Sequence, residues 1–165
     1  MKKNSELSFG IPSLNIENNI DGTIIIKNII QPDDWPNNII EKLIFWAQKK
    51  PKKIFLAQRN KSLSWDKLSY EETLSKVKSL SYFLLKQGLS KNNPVIILSG
   101  NDNNHALLAL SCLFSKIPFS ALSPAYSLYS DNSNRLENVK KILNPGFIFA
   151  SNGNTFKNAI LKFSL

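Results

Sequence analysis

A chain with a single histidine and a single cysteine has few routes to side-chain catalysis. Metal sites built on His and Cys need several such ligands, and His105 with Cys112 cannot supply them. A Ser–His–Asp relay would have to use His105, and no nucleophile-elbow pattern accompanies it. His105 is therefore read as a structural residue in the first turn of a helix. Cys112, seven positions further along that helix, reads as a small buried hydrophobe.

Two short segments have the right types and places to meet a ligand. Leu98-Ser99-Gly100-Asn101 joins a strand end to a helix start, where free backbone amides can meet an anion. One glycine is not a glycine-rich loop, so the alternative is a tight β-to-α turn with a helix cap. Ser123-Pro124-Ala125-Tyr126-Ser127 also follows a strand. Proline fixes its backbone and Tyr126 offers an aromatic face with a hydroxyl, which makes it a rigid loop at the ligand edge of a sheet. No Walker loop, dinucleotide fingerprint or paired-carboxylate site is present in the sequence.

The elements that must position these residues are legible in the apolar pattern. Val95-Ile96-Ile97-Leu98 is an unbroken apolar run, as in a buried parallel strand. Ala106 to Phe114 is apolar almost all round, predicting a deeply buried helix. Phe119–Leu122 is a second strand. Leu136, Val139 and Leu143 line a further helix, which Asn144-Pro145-Gly146 stops. Phe147–Ala150 is a third strand, and residues 154–163 open one more helix. This βαβαβ alternation predicts an α/β fold with three strands paired in parallel and helices on the faces.

Upstream, Asp21-Gly22 is a hairpin-turn signal before Ile24-Ile25-Ile26. Gln31 to Pro36 reads as a linker. A helix over 37–49 carries Ile39, Leu43, Trp46 and Ala47 on one face, with a capping box from Asn38 and Glu41 and a stop at Pro51. Short strands follow at Lys53–Ala57 and Leu63–Trp65. Ser69 and Glu72 form a second capping box, opening a helix with Leu74, Val77, Leu80 and Leu84 inward and Gly88 at its C-terminal end. The domain reading is an N-terminal extension over 1–36 and a second unit over 37–165.

Composition narrows the function classes. Of 165 residues, 42% are hydrophobic and 20% charged, which suits a globular domain with its own core. The net charge of +9 comes from scattered lysines, and Asn and Ile are as heavily used as Lys. All three have AT-rich codons, which points to a compositional drift of the genome. No basic stripe interleaved with aromatics is visible along the chain, so no nucleic-acid partner is expected. One cysteine gives no disulfide framework. The Met-Lys-Lys start runs into Phe9-Gly10-Ile11-Pro12 without the apolar core of a signal peptide. No apolar stretch is long enough to span a bilayer, so a cytoplasmic location without a membrane partner is expected.

From Val95 onward the sequence resembles the AMP-forming acyl-CoA ligase superfamily. The likeness rests on Pro94–Asn101, His105-Ala106-Leu107-Leu108-Ala109-Leu110, and Leu122-Ser123-Pro124-Ala125-Tyr126-Ser127-Leu128. It is greatest for the feruloyl-CoA synthases, which share Ser-Gly-Asn, His-Ala-Leu-Leu and Ser-Pro-Ala-Tyr-Ser-Leu segments in this order. Asn144–Ala150, Asp21-Gly22-Thr23 and Phe45-Trp46-Ala47 extend it over nearly the whole chain, from Phe9 onward. The resemblance implies the first subdomain of the adenylate-forming N-terminal domain, with an N-terminal hairpin extension.

It also implies a reaction in which a carboxylic acid becomes an acyl-adenylate at the expense of ATP and then a CoA thioester. Full-length members use ATP, Mg²⁺ and CoA. Their Ser/Thr/Gly-rich phosphate loop, aromatic-Gly-x-Thr-Glu segment, ribose-binding Asp and C-terminal catalytic Lys are expected beyond Leu165. No catalytic residue, metal ligand or firmly bound cofactor is therefore assigned to this chain, which is expected to be inactive alone. By analogy with acetate-activating relatives, Ser123, Pro124, Ala125 and Tyr126 border the path of the CoA pantetheine. Lys157 falls near the cations those relatives place against the CoA phosphates; the alternative is a solvated surface lysine. Expected partners are an aromatic or other carboxylic acid, ATP, CoA and the remainder of the ligase. The competing reading is a stand-alone binding module or one half of a split enzyme. Apolar surface is expected to lie bare where further structure would pack.

Overall fold

The computed structural model describes residues 13–30, 38–128 and 133–164. Phe9–Pro12 and the linker expected at Gln31–Pro36 lie outside the described residues. The chain divides into two compact units, Met1–Asn37 and Asn38–Leu165.

In the first unit, β1 (Leu14–Asn18) and β2 (Ile24–Asn28) form an antiparallel hairpin. Gly22 takes φ +84°, the positive value that favours glycine. The Asp21 carboxylate accepts from the Thr23 amide at 3.0 Å and its hydroxyl at 2.7 Å. These bonds hold the carboxyl below its ordinary pKa. The register pairs Ile16 with Ile26 and Asn18 with Ile24, so Leu14, Ile16, Ile24 and Ile26 share one face, and all four are exposed. A Glu17–Lys27 ion pair at 3.1 Å lies among the polar residues of the other face.

The second unit opens with α1 (Ile39–Lys49). The Asn38 side chain accepts from the Glu41 amide at 3.1 Å, and its Nδ2 donates to the Glu41 carboxylate at 3.2 Å. The buried face is Ile40, Leu43 and Ala47, with Trp46 half-buried. Ile39, expected inward, is exposed, because the contact face lies one position further on. Strands β3 (Ile54–Arg59) and β4 (Trp65–Ser69) pair antiparallel. The second of them was expected at Leu63–Trp65 and begins later. The Asn60 side-chain oxygen accepts from the amides of Ser62 and Ser64 at 3.1 and 3.0 Å. That turn absorbs residues 60–64 and leaves Leu63 at φ +61°.

Ser69 then caps α2 (Tyr70–Lys86) in a complete capping box, with Gly88 past its end at φ +77°. Hydrogen bonding to Ser69 lowers the Glu72 pKa.

Three strands form a parallel sheet, β5 (Val95–Leu98), β6 (Phe119–Leu122) and β7 (Phe147–Ala150), in the order β6-β5-β7. The expected parallel pairing is present, with Val95 opposite Phe119 on one side and Phe147 on the other. Crossovers are made by α3 (Asn103–Ser115) and by α4 (Pro124–Leu128) with α5 (Ser133–Leu143); α6 (Lys157–Ser164) follows β7. One sheet face packs Val95 and Ile97 against Leu84, Leu108 and Cys112 of α2 and α3. The other packs Ile96 and Leu98 against Leu136, Ala159 and Phe163 of α5 and α6. All four β5 residues are buried, as a central strand covered on both faces requires.

Helix α3 departs from the expectation of burial all round. Its buried residues are Leu107, Leu108, Ser111 and Cys112, while Leu113 is 45% exposed. The helix packs against α2, the parallel sheet, part of α1 and the β3–β4 hairpin, and the side bearing Leu113 stays open. Burial pushes the Cys112 thiol up to about 11.

The stop signal at Asn144–Gly146 has a steric component. Asn144 takes φ +43°. A Cβ on Gly146 would lie 2.7 Å from the Asn93 Cβ and 2.8 Å from the Leu89 Cδ2. Gly146→Ala is expected to lower stability by about 1–3 kcal/mol, since the Asn93 Cβ is fixed to its backbone and the Leu89 methyl is held in the buried core. Gly153→Ala, with nothing within 4 Å, is the control. Urea midpoints of the two variants check this, and equal midpoints would show that the loop before β7 yields freely.

Candidate functional site

Three parallel strands deliver three loops to one edge of the sheet. β5 ends at Leu98 and leads through Ser99–Asp102 into α3. β6 ends at Leu122 and leads through Ser123 into α4, and β7 ends at Ala150 and leads through Ser151–Phe156 into α6. Because β5 is central, the chain first moves to one side of it and then crosses to the other. The loops after β5 and β7 therefore lead to helices on opposite faces of the sheet, α3 on one and α6 on the other; in open α/β sheets such a switch point at the carboxyl edge is where ligands bind. The Ser151 amide donates to the Leu98 carbonyl at 3.0 Å, closing the ladder at its base. Neither Gly100 nor Gly153 has a heavy atom within 4 Å of its missing Cβ, so both loops are open on that side.

At this edge the structure joins two residues that the sequence treated apart. The buried Ser99 hydroxyl lies 2.7 Å from His105 Nδ1, which is also 3.2 Å from the Gly100 carbonyl. The Asp102 carboxylate accepts from the His105 backbone amide at 2.8 Å, as the N-cap of α3. Asp102 is thereby committed to the helix end, and the geometry is a tether of loop to helix rather than a catalytic relay. The reading of Ser99–Asn101 as a capped β-to-α turn fits this arrangement.

The Ser123–Ser127 segment, expected as a rigid loop, is the short helix α4. Pro124 stands at its first position, and the Ser123 hydroxyl accepts from the Ala125 amide at 3.3 Å. Tyr126 is exposed, and the Arg135 guanidinium stacks 5.2 Å from its ring centroid. Lys157 is the exposed first residue of α6. α4 packs against α6 and α5, which brings the elements bearing Tyr126, Lys157 and Arg135 together. Arg135 was missed in the sequence. Its one signal was rarity, for it is one of two arginines among 21 basic residues, and the other, Arg59, also stacks on an aromatic ring.

Among the described residues no group of three or more His, Cys, Asp or Glu could hold a metal ion. Arg135 and Lys157 are cations of a type that suits phosphate oxygens.

No protein-family model and no curated protein matches the chain. Solved structures do. The fatty acyl-adenylate ligase from L. pneumophila, in complex with acyl adenylate and pyrophosphate, superposes with a TM-score of 0.60 at 16% identity, over 75% of this chain and 20% of that one. McyG A-PCP, complexed with phenylalanyl-adenylate, gives 0.63 at 19% identity, over 81% of this chain and 21% of that one. The luciferase-like enzyme of the mealworm Zophobas morio gives 0.63 at 15% identity, over 82% and 31%. The fold is that of the N-terminal domain of adenylate-forming enzymes. This chain spans between a fifth and a third of the length of these three proteins. No helix among the described residues is long and apolar enough to cross a membrane.

Proposed function

We propose that this chain is the first subdomain of an AMP-forming acyl-CoA ligase of the feruloyl-CoA synthase type, acting in the cytoplasm with the rest of that ligase. In this reaction a carboxylic acid is activated as its acyl-adenylate with release of pyrophosphate, then passed to the thiol of CoA with release of AMP. The adenylate-forming fold carries the proposal at the superfamily level. The Ser-Gly-Asn, His-Ala-Leu-Leu and Ser-Pro-Ala-Tyr-Ser-Leu segments support the feruloyl branch.

Within it, this chain builds one wall of the CoA path. Ser123 caps α4 and Pro124 sets its first turn, which hold Tyr126 at the carboxyl edge. Arg135 and Lys157 supply positive charge for the phosphates of CoA, and the Tyr126 face lies against the pantetheine. The donors for ATP and Mg²⁺ belong to the rest of the ligase.

The test uses the assembled enzyme, with this chain and the remainder supplied together. The double variant Arg135→Ala/Lys157→Ala is expected to raise the KM for CoA about tenfold, as loss of about 1.4 kcal/mol of binding would. Ferulate-dependent pyrophosphate release should be unchanged. An equal fall in both half-reactions would remove these residues from the CoA path. Turnover of fatty acids but not of ferulate would remove the feruloyl assignment and leave the ligase one.

A further inference from the structure

Folding gathers aromatic rings and lysines from three elements that are scattered along the sequence. Phe45 and Trp46 of α1, Tyr70 of α2 and Phe55 of β3 form a continuous run of rings. Phe45 meets Trp46 edge to face at 5.2 Å, Trp46 lies 6.3 Å from Tyr70, and Tyr70 stacks on Phe55 at 4.6 Å. Both ends of the run, with Ile39 and Ile54 beside them, are open to solvent at between 38% and 59% exposure. The Nζ atoms of Lys42 and Lys49 lie 6.0 and 5.1 Å from the Phe45 ring, and that of Lys50 lies 5.4 Å from Trp46. Of the carboxylates on these elements, Glu71 pairs with Lys52 at 2.8 Å, and Glu41, bonded to the neutral Asn38 side chain at 3.2 Å, keeps its charge in the first turn of α1, at the far end of the helix from Lys49 and Lys50.

We propose that this aromatic and lysine face, built from α1 and β3, docks on an anionic lipid surface. The argument is charge complementarity joined to apolarity in one place. Exposed Phe and Ile suit the boundary between headgroups and acyl chains, aromatic rings with a polar edge suit the headgroup level, and the surrounding ammonium groups meet lipid phosphates. A hydrated polyanion would take the lysines but leave the apolar side chains in water. The lack of a spanning segment does not bear on such a face, because it lies on the surface and needs the packed α1, β3 and α2 to exist. It is separate from the CoA path and does not depend on the proposed ligase reaction.

The whole chain is mixed with vesicles of phosphatidylcholine alone and of phosphatidylcholine with phosphatidylglycerol, and bound protein is measured by co-sedimentation at low and high salt. Binding is expected to the anionic vesicles only and to weaken with salt. Lys49→Glu/Lys50→Glu should weaken it at least tenfold. Lys140→Glu/Lys141→Glu, on α5 across the sheet, changes the net charge by the same amount and should leave binding near the wild-type value. Phe45→Ser/Phe55→Ser should weaken binding without changing the salt dependence. Binding to neutral vesicles of equal strength, no binding at all, or equal losses in the two lysine pairs would overturn the proposal. So would equally tight binding to a soluble polyanion such as polyglutamate, which would make the face a site for acidic macromolecules.

Discussion

Ile97→Ala is expected to remove about 3–4 kcal/mol of stability. Ile97 sits on the central strand with no exposed surface, opposite Ala121 of β6 and Phe149 of β7. Its side chain is enclosed by Leu84, Val95, Leu108 and Cys112. Truncation would leave a cavity between sheet and helices that neither layer can close without moving, so a cavity penalty adds to the lost transfer energy. A single domain commonly holds only about 5–15 kcal/mol in total, so this one change removes a large share. Ile142→Ala, at a side chain 80% exposed on α5, is expected to lie within about 0.5 kcal/mol of wild type. Urea unfolding followed by circular dichroism compares the two. Should Ile97→Ala fail to fold, Ile97→Val, with an expected loss of about 1 kcal/mol, gives the graded comparison. A loss under about 1 kcal/mol for the alanine would mean that β5 is not the centre of the core.

That β5 is buried could be read from four consecutive apolar residues, a run that suits a strand covered on both faces; that it is central could not, because the edge strand β7 carries an equal run. The capping box of Ser69 and Glu72 and the turn at Gly22 were equally legible, since each depends on residues a few positions apart. What escaped the sequence depends on distant packing. Ile39 and Ile40 differ by one step on a helix, and which of them faces inward is decided by α2 and α3 rather than by α1 itself. Apolarity all round α3 predicted burial all round, yet Leu113 is open, because composition records which surfaces are apolar and not which are covered. The site divides the same way. Of the groups proposed to line the CoA path, Ser123–Tyr126 was picked out by its motif and Lys157 by the family likeness. Arg135 could not be found, because its meeting with Tyr126 depends on how α4 and α5 pack.

The second large effect concerns activity. Purified alone, this chain is expected to give no measurable pyrophosphate from ATP and ferulate, and no thioester when CoA is added. Attack of a carboxylate on the α-phosphate needs the triphosphate held in line and its developing charge neutralised, and enzymes obtain most of their acceleration from these two effects. At the carboxyl edge of this sheet the described donors are modest. Asp102 is spent on the first turn of α3, the Ser99 hydroxyl is tied to His105, and Lys157 and Arg135 are single exposed cations. Such groups can attract a phosphate but cannot hold three in a fixed line, and among the described residues no group of three or more His, Cys, Asp or Glu could hold a metal ion. On the proposed ligase assignment, adding a polypeptide that carries the remaining motifs is expected to restore both half-reactions, because the carboxyl edge of the sheet then gains the phosphate-binding elements. The gain should saturate with the concentration of the added part, as for a stoichiometric complex. CoA-dependent thioester formation by the chain alone would show that its own loops organise ATP. Failure of every complementing polypeptide, with this chain folded and binding CoA, would favour a binding module over a ligase part.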